Sequence, residues 1–316
     1  MEFCISAPVD PAVLTESPKP LLETRPSYKS SESTMKESGS GVHLDMKYNL
    51  SLCGSGFLGI YHLGVASCLV NHGQTLLSKV DTIAGASAGS LTAAILVISK
   101  DKVPESVDFT KNLAKEIRSK PLGVLTPRYS LLKTVEKFLE RTLPQDAHLT
   151  ASGKLFISLT NVDTKKNEIM SQFDSRDELI KALIASSYIP GYAGLKPPKI
   201  KGHRYIDGGV TNNLPSLSGT ARNITVSPFS GRQDICPHDK AGKGMFFRHS
   251  KQDFQVNFNN LVRVTHALFP PKQKILAQYF EMGERDASRF LRREGLYDAP
   301  KPQPVYKKVT QYESTV

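Results

Sequence analysis

The sequence predicts an α/β fold with a mostly parallel central sheet covered by helices. Three observations carry that expectation. Short strand-like apolar runs alternate with stretches of helical period, the order that builds a parallel sheet with helices on its faces. Two glycine-rich turns, Gly54–Gly59 and Gly85–Gly89, each join an expected strand to an expected helix. Hydrophobic residues make up 39% of the chain and aromatic residues 8%, enough for a real core, which excludes a wholly disordered or collagen-like chain.

Taken in order, Tyr48–Cys53 reads as a buried strand and Phe57–Asn71 as a helix with Leu58, Tyr61, Ala66 and Leu69 on one broad face. Val80–Gly85 is a second short strand and Ala88–Ile98 a wholly apolar helix. Pro104 suits the first turn of a helix running to Ile117. Leu131, Leu132, Val135, Phe138 and Leu139 keep a helical period. Leu155–Leu159 is a strand, with Ile169–Phe173 as its expected partner. Ser175 and Glu178 form a capping box that opens a helix through Ala185. Arg204–Ile206 and Asn223–Val226 read as the last strands. Phe254, Phe258, Leu261, Val262 and Leu268 then mark an amphipathic helix, and Pro271–Glu294 another.

The 316 residues suit two ordinary domains or one large α/β domain. Residues 1–46 hold four Lys/Arg against seven Asp/Glu, with eight Ser and five Pro. Such a segment cannot bury enough apolar area to offset its ordering entropy, so a disordered tail is expected there. The folded domain is then expected over 47–296, with a loose tail over 297–316. Met1–Asp10 lacks the basic and apolar regions of a signal peptide, and the acidic tail disfavours a transit peptide. Four Cys, at 4, 53, 68 and 236, have no paired spacing, which points to a reducing compartment and away from a zinc site. An intracellular, cytoplasmic, non-secreted protein is expected. The near-uncharged stretches around 48–78 and 82–99 are broken by Gly and Ser. Their longest clean apolar run, Ala93–Ile98, is far below the ~20 residues a membrane span needs. The net charge of +11 suits an anionic membrane surface as well as nucleic acid.

Gly54-Ser55-Gly56-Phe57-Leu58-Gly59 matches the dinucleotide fingerprint as a string, but that reading needs an acid at the end of the second strand. Asp81 begins that strand instead, and Gly85-Ala86-Ser87-Ala88-Gly89 ends it. The second motif fits a nucleophile elbow with Ser87 at the apex of a strand-turn-helix; a helix N-cap serine gives the same string. Backbone N–H groups of the first loop could then hold an oxyanion beside Ser87. For the base, Asp207, followed by Gly208-Gly209 directly after a strand, is one candidate, and a plain Asp-Gly turn is its structural alternative. A Ser–Asp–His order would instead recruit His238, His249 or His266.

Together Gly54-x-Gly56-Phe57-Leu58-Gly59, Gly85-x-Ser87-x-Gly89 and Asp207-Gly208-Gly209 resemble the patatin-like phospholipase family. The wording from Phe57 to Gly64, Ser227-Pro228-Phe229-Ser230-Gly231 and Ala267-Leu268-Phe269-Pro270-Pro271 resembles its animal group, which contains adipose triglyceride lipase and adiponutrin. The likeness covers about residues 46–295. It implies a patatin-like three-layer fold and a Ser–Asp dyad without histidine, carried by Ser87 and Asp207, with Gly54–Gly59 as the oxyanion loop. It implies lipid ester substrates, triacylglycerol and retinyl ester among them, with phospholipase and transacylase activity as extensions. It also implies peripheral association with membranes or lipid droplets, no nucleic-acid partner, and neither metal nor organic cofactor. Many family members have a basic residue where this chain has Leu58, which leans the expectation toward neutral lipids. Basic residues of the last helix, Lys272, Lys274, Arg285, Arg289, Arg292 and Arg293, with Lys307 and Lys308 beyond, are the expected contact with anionic head groups.

Overall fold

Tyr48–Leu52 (β1) is buried along its whole length, which is what a strand covered on both faces demands of its residues. It pairs in parallel with β2 (Val80–Ala86) on one side and β7 (Arg222–Val226) on the other. β2 in turn pairs in parallel with β3 (Leu155–Asn161). The computed structural model describes residues 46–239 and 244–299; of the tails expected at 1–46 and 297–316, residues 1–45 and 300–316 lie outside the described residues.

The connections supply the helical layers. Gly59–His72 (α1) and the short Gln74–Leu77 (α2) link β1 to β2. Ala88–Ile98 (α3), Val103–Arg118 (α4), Leu131–Thr142 (α5) and Ala147–Ala151 (α6) link β2 to β3. Arg176–Ser186 (α7) follows β4 (Asn167–Met170). Ser175 caps α7 by accepting from the Glu178 N–H at 3.1 Å. Glu178 reaches back to the Asp174 N–H instead of that of Ser175, so the expected capping box is closed one residue early. The mostly parallel, helix-covered sheet is as the sequence predicts, and Cys53, Cys68 and Cys236 are buried free thiols. The partner of β3 is Asn167–Met170 rather than Ile169–Phe173, because the tight turn after Asn161 sets the antiparallel register.

β3 carries more partners than a strand with one neighbour per edge. β2 covers Leu155–Ser158, β4 covers Ile157–Thr160, and the antiparallel strand β6 (His203–Asp207) covers Leu159–Asn161. β4 overlaps both of the other registers, so β2 and β6 must share the opposite edge, one after the other. β2 runs forward to Ala86, opposite Ser158, and β6 runs back to Asp207, opposite Leu159. Their carboxyl ends meet head to head. A two-residue strand, β5 (Lys199–Ile200), flanks β6.

The end of the chain corrects the sequence reading. Phe254 is in no helix: it belongs to a hairpin of β8 (Phe246–His249) and β9 (Gln252–Gln255). The helix begins only at Phe258 (α8, Phe258–Leu268), capped by Asn257, whose side chain accepts from the Asn260 N–H at 2.7 Å. Gln273–Arg293 (α9) then packs along α1.

Candidate active site

Ser87 sits where β2 stops, with φ 52° and ψ −128°. A non-glycine residue pays strain to hold such a backbone, and that strain is characteristic of nucleophile elbows. Its side chain makes no N-cap hydrogen bond to α3, so the capping alternative is not what fixes this serine. The elbow is tied down from below. The Ser87 N–H donates to Ser186 Oγ at 2.9 Å, and Ser186 Oγ donates to the Ser158 carbonyl at 2.8 Å. That carbonyl belongs to the residue opposite Ala86 at the end of the β2 ladder.

Across the same breach stands Asp207, the last residue of β6. Its N–H donates to the Tyr188 carbonyl at 2.9 Å and its own carbonyl accepts from Thr160 Oγ1 at 2.8 Å. Its carboxylate accepts from the Gly209 N–H at 2.7 Å, and the Ser87 hydroxyl is close enough to favour its charged form. The Asp-Gly turn and the contact to Ser87 therefore coexist. Burial pushes the carboxyl up to about 6, and the Ser87 hydroxyl and the Gly209 N–H pull it only partly back. A base poised there is close to the working range of general base catalysis.

The first glycine loop lies against the elbow: a Cβ on Gly54 would stand 3.2 Å from the Ser87 Cβ and 2.5 Å from Asn213 Oδ1. The Gly54 N–H itself donates to the Asn213 carbonyl, so Gly54 has no donor left for an oxyanion. Gly56 and Phe57 open a 3₁₀ turn, and N–H groups at the head of such a turn have no acceptor within it. Gly56 has φ +52°, and a Cβ there would collide with the Ala267 carbonyl. Leu58 is fully buried and does not line the cavity. Its apolar character serves the core, so the neutral-lipid argument drawn from it has no physical basis at the site.

The cavity above Ser87 and Asp207 has a volume of about 480 Å³, within the range of ligand pockets. Gly54, Ser55, Gly56, Phe57, Gly59, Ala88 and Gly209 border it as well. Gly85, Gly89 and Gly208 lie behind, where they let α3 and the acidic turn approach neighbouring backbone, and Ala86 is buried there too. The walls are apolar side chains of α3, α4 and α5, including Leu91, Ile95, Phe109, Val135 and Phe138, and α8 adds Val264 and Leu268.

Of the three histidines, His249 ends β8 and borders the cavity. His238 Nδ1 faces the Cys236 carbonyl and Arg289, and His266 Nδ1 faces the Tyr279 hydroxyl. Among the described residues none of the three hydrogen-bonds Ser87 or Asp207, and no His/Cys/Asp/Glu cluster could hold a metal. Asn213 and Ser186 brace this candidate site and carry no signal that sequence reasoning singled out. Asn213 Nδ2 donates to the Gly54 carbonyl at 3.3 Å and to Gln252 Oε1 at 2.6 Å, tying oxyanion loop, acidic turn and hairpin together.

The expected head-group contact is also altered. Arg289 pairs with Asp286 at 3.0 Å, Arg293 with Glu294 at 3.3 Å, and Arg292 lies 3.7 Å over the Tyr297 ring. Lys307 and Lys308 lie outside the described residues. No described helix is long and apolar enough to cross a membrane.

The family model described as Patatin-like phospholipase matches residues 50–218. Human patatin-like phospholipase domain-containing protein 4 is 44% identical over 250 residues, covering 79% of this chain and 98% of that protein. The rat patatin-like phospholipase domain-containing protein 2 is 46% identical over 258 residues, covering 82% and 54%. A human protein named 1-acylglycerol-3-phosphate O-acyltransferase is 38% identical over 255 residues, covering 81% and 53%. The chain thus spans about half the length of the latter two.

Proposed function

The chain belongs to the patatin-like phospholipase family, a family of lipid ester hydrolases, and from that premise we propose that it cleaves triacylglycerol through a Ser87–Asp207 dyad. Asp207 takes the hydroxyl proton as Ser87 Oγ attacks the ester carbonyl carbon. The N–H groups of Gly56 and Phe57 meet the oxyanion of the tetrahedral intermediate. Its collapse expels the alcohol, which takes the proton from Asp207, and leaves the acyl group on Ser87 with its chain in the apolar cavity. Water, deprotonated by Asp207, then attacks the acyl-enzyme; the second collapse releases the acid and returns a proton to Ser87.

An alcohol acceptor in place of water gives transacylation from the same intermediate, a reading supported by the acyltransferase name of one relative. Retinyl esters and phospholipids are the further substrates in this proposal, and the enzyme works peripherally on membranes or lipid droplets inside the cell. The observation that carries it is that Ser87, on its strained strand-to-helix turn, and the buried carboxyl of Asp207 border the same apolar cavity. The test is incubation of the full chain, Ser87→Ala and Asp207→Asn with triolein, a retinyl ester and a phospholipid, with and without an acceptor alcohol. Products from the wild type alone support the dyad. Lipid binding without turnover by any of the three would make the protein a non-catalytic lipid binder.

A further inference from the structure

Helix α8 is built inside out. A surface helix ordinarily turns its apolar stripe to the core and its charged side chains to water. In α8 the buried residues are Asn260 and Arg263. Arg263 grips Asp239 with two nitrogens, Nη1 to Oδ2 at 2.6 Å and Nη2 to Oδ1 at 2.9 Å. Asn260 Nδ2 donates to the Ser230 and Gln255 carbonyls, each at 2.8 Å. Phe258, Leu261, Val264 and Leu268 point outward, at 75%, 63%, 43% and 39% exposure. Their spacing of three to four residues, with the solvated Thr265 between, puts them on one face. Isolated exposed apolar side chains are ordinary, but a continuous stripe marks an interaction surface.

The stripe continues on both sides. Met245 and Phe247 of the β8–β9 hairpin are exposed, and Val256, whose N–H donates to the Met245 carbonyl, joins that hairpin to α8. It is also continuous with the reaction site. Val264 and Leu268 border the cavity over Ser87, and the Ala267 carbonyl packs on Gly56 of the oxyanion loop. Around it stand the exposed Arg248, Lys251, Lys272 and Lys274, none of which makes an ion pair among the described residues. An apolar face with a cationic rim is the chemistry of a helix lying in the head-group region of a lipid leaflet.

We propose that the outward face of α8, with the β8–β9 hairpin, docks the protein on a phospholipid-covered surface and sets the cavity mouth against the acyl chains; this rests on the lipid-ester reading of the site. The occupant is lipid because the same helix borders the cavity that must receive an insoluble ester, and because the rim is complementary to phosphate head groups.

The test uses the full chain carrying Ser87→Ala, so that no turnover alters the vesicles. Flotation with phosphatidylcholine vesicles, and with phosphatidylcholine–phosphatidylserine vesicles, compares it with the same chain bearing Phe258→Asp and Leu261→Asp. Loss of two inserted apolar side chains should weaken partitioning at least about tenfold, on neutral vesicles too and at high salt, where surface charge is screened. Phe258→Ser with Leu261→Ser should weaken it in the same direction. On the Ser87 background the double variant should hydrolyse a soluble short-chain ester at the wild-type rate, since neither side chain lines the cavity. Unchanged partitioning would overturn the proposal, as would a fall in soluble-ester turnover equal to the fall in binding. So would a dimer in light scattering that the substitutions turn into monomer, which would assign the face to a second copy. An inactive wild type would refute the catalytic reading alone, because vesicle binding is measured without turnover.

Discussion

Replacing Asp207 by Asn separates what the carboxylate does for chemistry from what it costs the fold. Burial lifts the carboxyl from 3.8 to about 6. Between these values the unfolded chain has released a proton that the folded chain still holds, so stability falls as pH rises, by ~1.4 kcal/mol per unit. Below about pH 4 there is no penalty; above about pH 6 it is complete, and two units of displacement make it ~3 kcal/mol as an upper value. Asn keeps the shape, keeps an oxygen for the Gly209 N–H and offers an amide to Ser87 Oγ, but has no charge to bury. Asp207→Asn is therefore expected to be more stable than wild type at pH 8, by up to ~3 kcal/mol, and equal to it near pH 4. It should also lose at least ~10²-fold in activity. Urea unfolding at pH 4, 6 and 8, followed by circular dichroism, reads the first effect, and hydrolysis of a soluble ester reads the second. In the wild type the acid limb of kcat/KM should fall near pH 6. A variant less stable than wild type at pH 8, or a stability gap that does not change with pH, would refute the reasoning, because the carboxylate would then be stabilising rather than strained by its burial.

Ser87→Ala should abolish labelling by a fluorophosphonate while leaving the circular dichroism unchanged; equal labelling would remove the nucleophile assignment. Ser87→Gly should be more stable than Ser87→Ala by ~1 kcal/mol in thermal unfolding, because glycine relieves the positive φ and returns only part of the gain as chain entropy. His249→Asn should keep kcat within about threefold, whereas loss of a histidine general base would remove at least ~10²-fold; a folded but inactive variant would replace the dyad with a triad. Gly56→Ala should lower kcat by ~10²-fold or more through displacement of the oxyanion donors. Its Cβ has no room beside the Ala267 carbonyl, and normal kcat in a folded variant would take the loop out of the mechanism.

Local pattern carries local geometry, which is why the strands, most helices and the two glycine turns could be read from sequence. A buried strand such as Tyr48–Leu52 must be a run of apolar or small residues, and a strand that turns sharply into a helix must place glycine beside the apex. The meeting of Ser87 with Asp207 is a different kind of fact. It depends on two strands sharing one edge of β3, a matter of register that no spacing between residues 87 and 207 encodes. Family resemblance supplied the pair; elementary reading of the residues left the base open between an aspartate and three histidines. Ser186 and Asn213 have no signal of their own, since serine and asparagine are common wherever chains turn.

Helix α8 shows where periodicity misleads. An apolar stripe at helical spacing says that one face differs from the other, and it is silent on which face meets the core. The direction was written in Asn260 and Arg263, one turn apart on the opposite face, but polar residues on a helix are assigned to water by default. Only the partners reverse that assignment: Asp239, held down to about 2 by Arg263 and Ser230 against the upward push of its burial, and the Ser230 and Gln255 carbonyls. A buried, hydrogen-bonded ion pair fixes orientation more than it adds net stability. Here that property is what the site requires. Holding the helix by its polar side leaves Phe258, Leu261, Val264 and Leu268 turned away from the core, beside the mouth of the cavity over Ser87.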